Sequence, residues 1–331
     1  MSSPVMQKNA LAVGQPMVQV EDLVVRFPIR SGVRKAWITP VDHVNFTIGR
    51  GEVLALVGES GSGKTTIGKA LMRIVEPSAG KIVVGGKDIT HIKGRSLADY
   101  REDAQMIFQD PFGSLNAVKT VEQHLYFPLK KHRQLRGDDL YIKAGELLEL
   151  VGLTPVRETR IKFPNELSGG QRQRVAIARA LAVDPKFLVA DEPISMLDVS
   201  IRAGVLKLMN QLKDDFKLSY LYITHDLASA RYFGDRIMVM YGGQIMETAD
   251  SRELIRRPTH PYTKLLLAAT PGNPIREKLP ETSNLAPNLL EGRTGCVFAS
   301  RCPLVTDRCR DEMPKLTLLE TGHSAACHYA S

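Results

Sequence analysis

Between Val18 and Phe27 apolar side chains recur at nearly alternate positions, the period of a strand with one covered face. Val44–Ile48 reads as its partner, set off by the basic stretch Arg30–Lys35. The unbroken apolar run Val53-Leu54-Ala55-Leu56-Val57 predicts a further strand, and the helix-like Ile67–Leu71 follows it. Ile82-Val83-Val84 with Gly85-Gly86 reads as a strand and turn. From about residue 117 to 182 the period changes. Tyr141–Val151 and Gln171–Ala182 carry helical spacing with few β-rich runs between them, which predicts a helical insert. Alternation of strand and helix then returns with Phe187–Ala190, Tyr220–Thr224 and Ile237–Tyr241, the last running through a Gly242-Gly243 hairpin turn into Gln244–Glu247. The pattern as a whole is that of an α/β core carrying a helical subdomain.

The two ends differ from this body. Residues 1–17 are small and polar without a sustained period and read as a loose N-terminal tail, so that the ordered domain spans 18–257. From Pro258 the composition shifts through Pro271, Pro274, Pro280 and Pro287, a linker leading into a small C-terminal extension that makes 258–331 a separate region. No internal repeat is visible.

Composition narrows the class without choosing a function. The 331 residues are 43% hydrophobic, enough for a sizeable core, and no apolar run reaches the roughly 20 residues that cross a bilayer. The start, Met1-Ser-Ser-Pro, lacks the features of a secretory leader, so the chain is expected to be neither secreted nor membrane-spanning. A net charge of +8 is compatible with nucleotides, nucleic acid or an anionic membrane face. All four cysteines follow residue 295, and in a reducing compartment they are not expected to form disulfides.

The candidate chemistry begins at residues 58–66, Gly-Glu-Ser-Gly-Ser-Gly-Lys-Thr-Thr, a complete G-x-x-x-x-G-K-[ST] phosphate loop between a strand and a helix. Gly58, Gly61 and Gly63 let the backbone turn so that N–H groups, with those of Ser60, Ser62 and Thr66, face inward beside a helix N-terminus. Lys64 supplies a mobile charge for the β- and γ-phosphates, and Thr65 a hydroxyl for Mg²⁺. Phe187–Ala190 runs into Asp191-Glu192, which places Asp191 near the Mg²⁺ shell and Glu192 at the attacking water as general base. Ser168, Gly169 and Gly170 at a predicted helix start make a second anion site, one more than a single phosphate chain needs.

Leu167-Ser168-Gly169-Gly170-Gln171 resembles the signature motif of ATP-binding-cassette (ABC) proteins, and the other family elements follow in order over about residues 18–255. Gln109, in Met-Ile-Phe-Gln-Asp-Pro, resembles the glutamine that senses the γ-phosphate and metal; Ser195-Met196-Leu197-Asp198 resembles the loop crossing the dimer interface; His225 resembles the γ-phosphate histidine. The resemblance implies a P-loop NTPase cassette in which two copies pack head to tail and each signature, Ser168 to Gln171 with Asp198, closes on ATP held by the partner. It also implies an aromatic ring stacked on adenine. Phe27 is the candidate and Trp37 the alternative.

His260-Pro261-Tyr262-Thr263, the proline-rich linker and the cysteine region resemble the oligopeptide/dipeptide importer ATPases. That implies a membrane-associated subunit at the cytoplasmic face, paired with a second cassette, preferably a paralogue, beneath two permease subunits fed by an extracellular solute-binding protein. Oligosaccharide or nickel uptake is the alternative within this class; a soluble cassette acting on nucleic acid or ribosomes is the alternative outside it, and nucleic acid is not the expected partner. Cys296, Cys302, Cys309 and Cys327 follow C-x5-C-x6-C-x17-C, which resembles the pattern holding a [4Fe–4S] cluster in this branch; Zn²⁺ stays open, with His323 and His328 nearby.

Overall fold

The computed structural model of the protein describes residues 14–31, 34–270, 289, 294–320 and 322–330. Most of the expected N-terminal tail and all four linker prolines lie outside them. The chain opens with the long strands β1 (Val18–Ser31) and β2 (Arg34–Ile48), then β3 (Val53–Val57), which feeds α1 (Lys64–Leu71). After β4 (Ala79–Val84) and β5 (Lys87–Asp88), α2 (Gly94–Asp103) leads into β6 (Ala104–Ile107). The helical insert comprises α3 (Pro111–Ser114), α4 (Val121–Arg133), α5 (Gly137–Leu150), α6 (Val156–Arg160) and α7 (Gly169–Leu181). Alternation resumes with β7 (Phe187–Asp191), α8 (Val199–Phe216), β8 (Ser219–Thr224), α9 (Leu227–Phe233), β9 (Arg236–Tyr241), β10 (Gln244–Asp250), α10 (Ser251–Arg256) and α11 (Pro261–Ala268). The extension adds α12 (Asp307–Asp311), β11 (Thr317–Glu320) and β12 (His323–Ala325).

Among the described residues the strands form two sheets, ordered β2-β1-β4-β5 and β11-β12-β10-β9-β3-β8-β7-β6. The segment β9-β3-β8-β7-β6 is parallel. Its strands β3, β7 and β8 are buried along their whole length, as unbroken apolar strands covered on both faces are. The two-residue period divides β3 between two cores: Leu54 and Leu56 pack with Ile67 and Leu71 of α1 and the antiparallel sheet, while Val53, Ala55 and Val57 pack with the helical insert, α8 and α9. No described helix is long and apolar enough to cross a membrane.

The strand expected to end at Phe27 runs on to Ser31, and its partner starts at Arg34 rather than Val44. Register shifts between Val20 and Leu23, Leu23 and Val25, and Val25 and Phe27 break the alternation of β2 across residues 38–46, whereas residues 28–31 pair with 34–37 without a shift and are hidden by their proline and basic residues.

The extension is tied into the core sheet. β12 pairs with β10, Ala325 opposite Glu247, so the central sheet grows by two strands taken from the last part of the chain. Glu247 is fully buried, and its carboxylate accepts from the N–H groups of Thr259 at 2.8 Å and His260 at 2.9 Å, with His323 Nε2 at 2.8 Å. Three partners compensate the cost of taking a carboxylate out of water. His260 caps α11, accepting at Nδ1 from the Tyr262 N–H at 3.0 Å, and burial pushes its pKa down to about 4, so the ring is neutral.

Candidate active site at the ends of the parallel strands

Beyond Val57 the chain turns through Gly58–Gly63 before α1 begins at Lys64. Gly61 and Gly63 adopt φ of +79° and +109°, which L side chains avoid. A Cβ on Gly63 would lie 1.9 Å from the Pro40 carbonyl oxygen, and one on Gly58 2.2 Å from that of Met240. Only bare backbone fits between β2 and β9 here. Lys64 is buried, and its Nζ donates to the carbonyl oxygens of Gly58 and Glu59, each at 2.8 Å, with Ser62 Oγ at 3.4 Å. Burial lowers its pKa, against the opposing pull of Glu192, Asp191 and Glu59. An ammonium held by neutral carbonyls in a glycine cradle is ready to meet an anion. Ser60 is exposed at the loop, Ser62 is buried, and Thr66 is half-buried in the first turn of α1.

The Thr65 hydroxyl donates to the Asp191 carboxylate at 3.1 Å. Desolvation raises the Asp191 pKa, partly offset by that hydrogen bond. The two hard oxygen donors suit Mg²⁺, which takes one or two protein oxygens and keeps waters. Glu192 then leaves the strand with φ +45°, an unusual conformation for a non-glycine residue. Its N–H donates to the Ile223 carbonyl at 2.9 Å. Its carboxylate accepts from Gln109 Nε2 at 3.1 Å and lies 3.2 Å from His225 Nδ1. Gln109 follows β6, Glu192 follows β7 and His225 follows β8, which are neighbours in the sheet. Three residues far apart in the chain thus meet at the carboxyl ends of adjacent parallel strands, where ligands bind in open α/β sheets.

The signature residues stand elsewhere. Ser168 is the N-cap of α7, its Oγ accepting from the Gln171 N–H at 3.3 Å while Gln171 Oε1 accepts from the Ser168 N–H at 3.0 Å. A Cβ on Gly170 would meet Ile201 at 2.5 Å, and Gly169 is half-buried beside it. Ser168 and Asp198 are exposed, as are Met196 and Val199. Among the described residues no hydrogen bond or ion pair joins 168–171 to 58–66. Within one chain the two anion sites are therefore not joined by any polar contact among the described residues. Of the two aromatic candidates, Phe27 sits opposite Ile38 and packs against the core beneath the antiparallel sheet, whereas Trp37 is 43% exposed.

Cys296, Cys302, Cys309 and Cys327 are free thiols lining one cavity of about 10 Å³. Burial pushes the Cys296 thiol up to about 11 and raises Cys302, each reinforced by the neighbouring sulfurs. The donors converge, but the cavity as packed has room for about one water. Among the described residues no three Cys, His, Asp or Glu side chains form a metal-binding group. The sequence reading missed Glu59, Tyr241, Tyr262 and Arg301 as site residues. They join the phosphate loop to the extension, and the only signal, a histidine-proline-tyrosine and cysteine pattern, pointed to the family rather than to this contact.

A phosphate loop, an acidic strand end and a second amide-lined helix start on one α/β body with a helical insert define an ATP-binding cassette. The ABC transporter family matches residues 41–195, and the family described as the oligopeptide/dipeptide transporter C-terminal region matches 246–309. The chain is 41% identical over 326 residues to the oligopeptide transport ATP-binding protein AppF of Bacillus subtilis, covering 96% of this chain and 98% of that one. It is 42% identical over 315 residues to a putative peptide import ATP-binding protein of Brucella ovis, covering 94% and 97%. A dimeric ATP-binding cassette in a post-hydrolysis state, bound to ADP and Pi, superposes with a TM-score of 0.63 at 30% identity, over 71% of this chain and 99% of that one. For cbiO1 of Clostridium perfringens, part of an ABC transporter complex, the TM-score is 0.64 at 27% identity, over 73% and 91%. The chain belongs to the ABC transporter family, as an ATP-hydrolysing subunit of its oligopeptide/dipeptide importer branch.

Proposed function

We propose that this subunit hydrolyses Mg·ATP at the interface of two cassettes and so drives uptake of oligopeptides or dipeptides through two permease subunits, working at the cytoplasmic face of the membrane. The observation that carries the hydrolytic part is the Glu192–Gln109–His225 cluster beside the Lys64 cradle. Lys64 and the amides of Gly61 to Thr66 bind the β- and γ-phosphates. Thr65, Asp191 and Gln109 would hold Mg²⁺, which would neutralise the charge developing on the phosphates. Glu192 takes the proton of the attacking water, while Gln109 and His225 fix its carboxylate. The exposed Ser168 and Asp198, with the half-buried Gly169 and Gln171 and the backbone of the buried Gly170, complete the site of the opposite cassette, for which a paralogue is the preferred partner.

Peptide as the solute rests on the relatives' names and on the match over 246–309. Co-purification with the permeases, followed by uptake in proteoliposomes containing the solute receptor, tests it. Peptide should stimulate ATP hydrolysis and accumulate. Stimulation by oligosaccharide or nickel alone, or recovery with ribosomes or nucleic acid in place of permeases, would show the reading to be wrong.

Trp37 rather than Phe27 is the better placed adenine platform, because Phe27 is engaged in the core and Trp37 lies three residues before Pro40, whose carbonyl abuts Gly63. It is the chain's single tryptophan. Its fluorescence should therefore change on titration with Mg·ATP, and Trp37→Ala should weaken binding by about 5- to 100-fold, the cost of one stacked base. An unchanged emission spectrum counts against the assignment.

The cysteine spacing is read as a [4Fe–4S] site, with Zn²⁺ as the alternative; the four thiols line one cavity, but they must draw together and the cavity must open to admit either. Protein purified without oxygen should contain iron and sulfide in equal amounts. Metal-free protein with undiminished melting temperature would remove both versions.

A further inference from the structure

Glu59, the residue after the first glycine of the phosphate loop, is held at three groups. Its N–H donates to the Tyr262 hydroxyl at 3.0 Å, its carbonyl oxygen accepts from Lys64 Nζ at 2.8 Å, and its carboxylate accepts both ends of the Arg301 guanidinium at 2.7 and 3.0 Å. Tyr262 lies in the first turn of α11 and Arg301 ends the short turn Ala299–Arg301, immediately before Cys302, so two of the three grips come from the extension. Arg301 is set on an aromatic floor. Its guanidinium carbon lies 5.6 Å from the Tyr241 ring and 5.9 Å from that of Phe298, and its Nη1 is 3.4 Å from the Tyr241 hydroxyl. The rings of Tyr241, Tyr262 and Phe298 pack mutually, with centroids 4.7 to 5.3 Å apart. Only 10% of the Arg301 side chain is exposed, and pairing with Glu59 raises its pKa further.

A carboxylate at the rim of a cradle built for a polyanion works against binding unless its charge is cancelled. Here the canceling cation arrives from 242 positions later in the chain. We propose that Arg301 is a positioning residue for the triphosphate site: it neutralises Glu59 and, together with Tyr262, fixes the first turn of the phosphate loop, making the C-terminal extension a structural part of the nucleotide site. The bidentate fork suits this role, since it sets direction as well as charge.

The inference rests on residues 58–66 holding the nucleotide, and the test keeps the two separate. Binding of a fluorescent Mg·ATP analogue and steady-state ATP hydrolysis are measured on the full chain for Arg301→Gln, Arg301→Lys, Glu59→Gln, the double variant Arg301→Gln/Glu59→Gln, and Lys64→Ala. Arg301→Gln should weaken binding and raise KM by about tenfold with kcat within about twofold, because Glu59 is left uncompensated. The double variant should return to within about threefold of Glu59→Gln, since it removes the charge that Arg301 cancels. Arg301→Lys, which keeps the charge and protects the fold if Gln does not, should fall between wild type and Arg301→Gln. Wild-type affinity in Arg301→Gln while Lys64→Ala is impaired, a double variant as weak as Arg301→Gln, or a Lys variant no better than Gln each overturns the inference alone. Wild-type affinity in Lys64→Ala removes the nucleotide reading beneath it.

Discussion

Glu192→Gln is expected to lower the rate of ATP hydrolysis by about 10²- to 10⁴-fold while Mg·ATP binds as in the wild type. The size follows from the chemistry removed, because an amide of the same shape cannot accept a proton from water. The geometry around it survives: the new side chain keeps an oxygen for Gln109 Nε2, and the backbone at φ +45° with its N–H on the Ile223 carbonyl is unaltered. Rapid-quench phosphate release beside equilibrium nucleotide binding makes the comparison. Undiminished turnover would mean that the base lies elsewhere, and equal losses in binding and turnover would mean that Glu192 shapes the site rather than acting in it. The same variant tests the interface, since ATP that binds without being hydrolysed should hold two cassettes together with Ser168–Gly170 covered. If those residues exchange amide protons as freely as in the separate chain, the two-cassette mechanism fails.

Gly63→Ala is expected to abolish nucleotide binding and to cost about 2–4 kcal/mol of stability. Two penalties coincide. The residue sits at φ +109°, where a side chain strains the backbone, and the added methyl would meet the Pro40 carbonyl oxygen at 1.9 Å and the Met240 methyl at 2.7 Å. Relief requires moving Pro40 of β2 or the loop itself, and either displaces the amides that face the phosphates. Gly51→Ala provides the comparison: φ is +68° there but a Cβ would meet nothing within 4 Å, so only the backbone term of about 1 kcal/mol should appear. Chemical denaturation and nucleotide binding of both variants distinguish strain from steric conflict. Equal destabilisation of the two would rule out the clash.

What the sequence disclosed depended on where each signal was stored. β3, β7 and β8 were readable almost to the residue because strands buried on both faces carry unbroken apolar runs. Asp191 and Glu192 stood out as the acidic end of an apolar strand and Gln109 and His225 through resemblance to family motifs, and the sheet order then brings Gln109, Glu192 and His225 together. β6 is only Ala104–Ile107 and escaped notice because four residues hold too little periodicity. β11 and β12 escaped for another reason: Thr317–Glu320 and His323–Ala325 are too short to show a period, and they are strands because β12 pairs with β10 and β11 with β12. The Glu59–Arg301 pair had no local signature at all, since neither residue is unusual until 242 positions are folded together. Strand membership gained by pairing and charge matched across the chain are properties of tertiary structure, and a periodicity argument does not reach them.

The attachment of β12 to β10 also bears on how the cassette behaves if its last part is lost. Without those two strands the backbone amides and carbonyls of Glu247 and Thr248 would lie open along the sheet's margin, next to a carboxylate stripped of its His323 contact. An uncapped margin of this kind recruits whatever extended chain it meets, including a second copy of itself. β12 therefore covers the edge of β10 and leaves the short β11 outermost, and removal of residues 317–325 should raise concentration-dependent self-association, as light scattering would show.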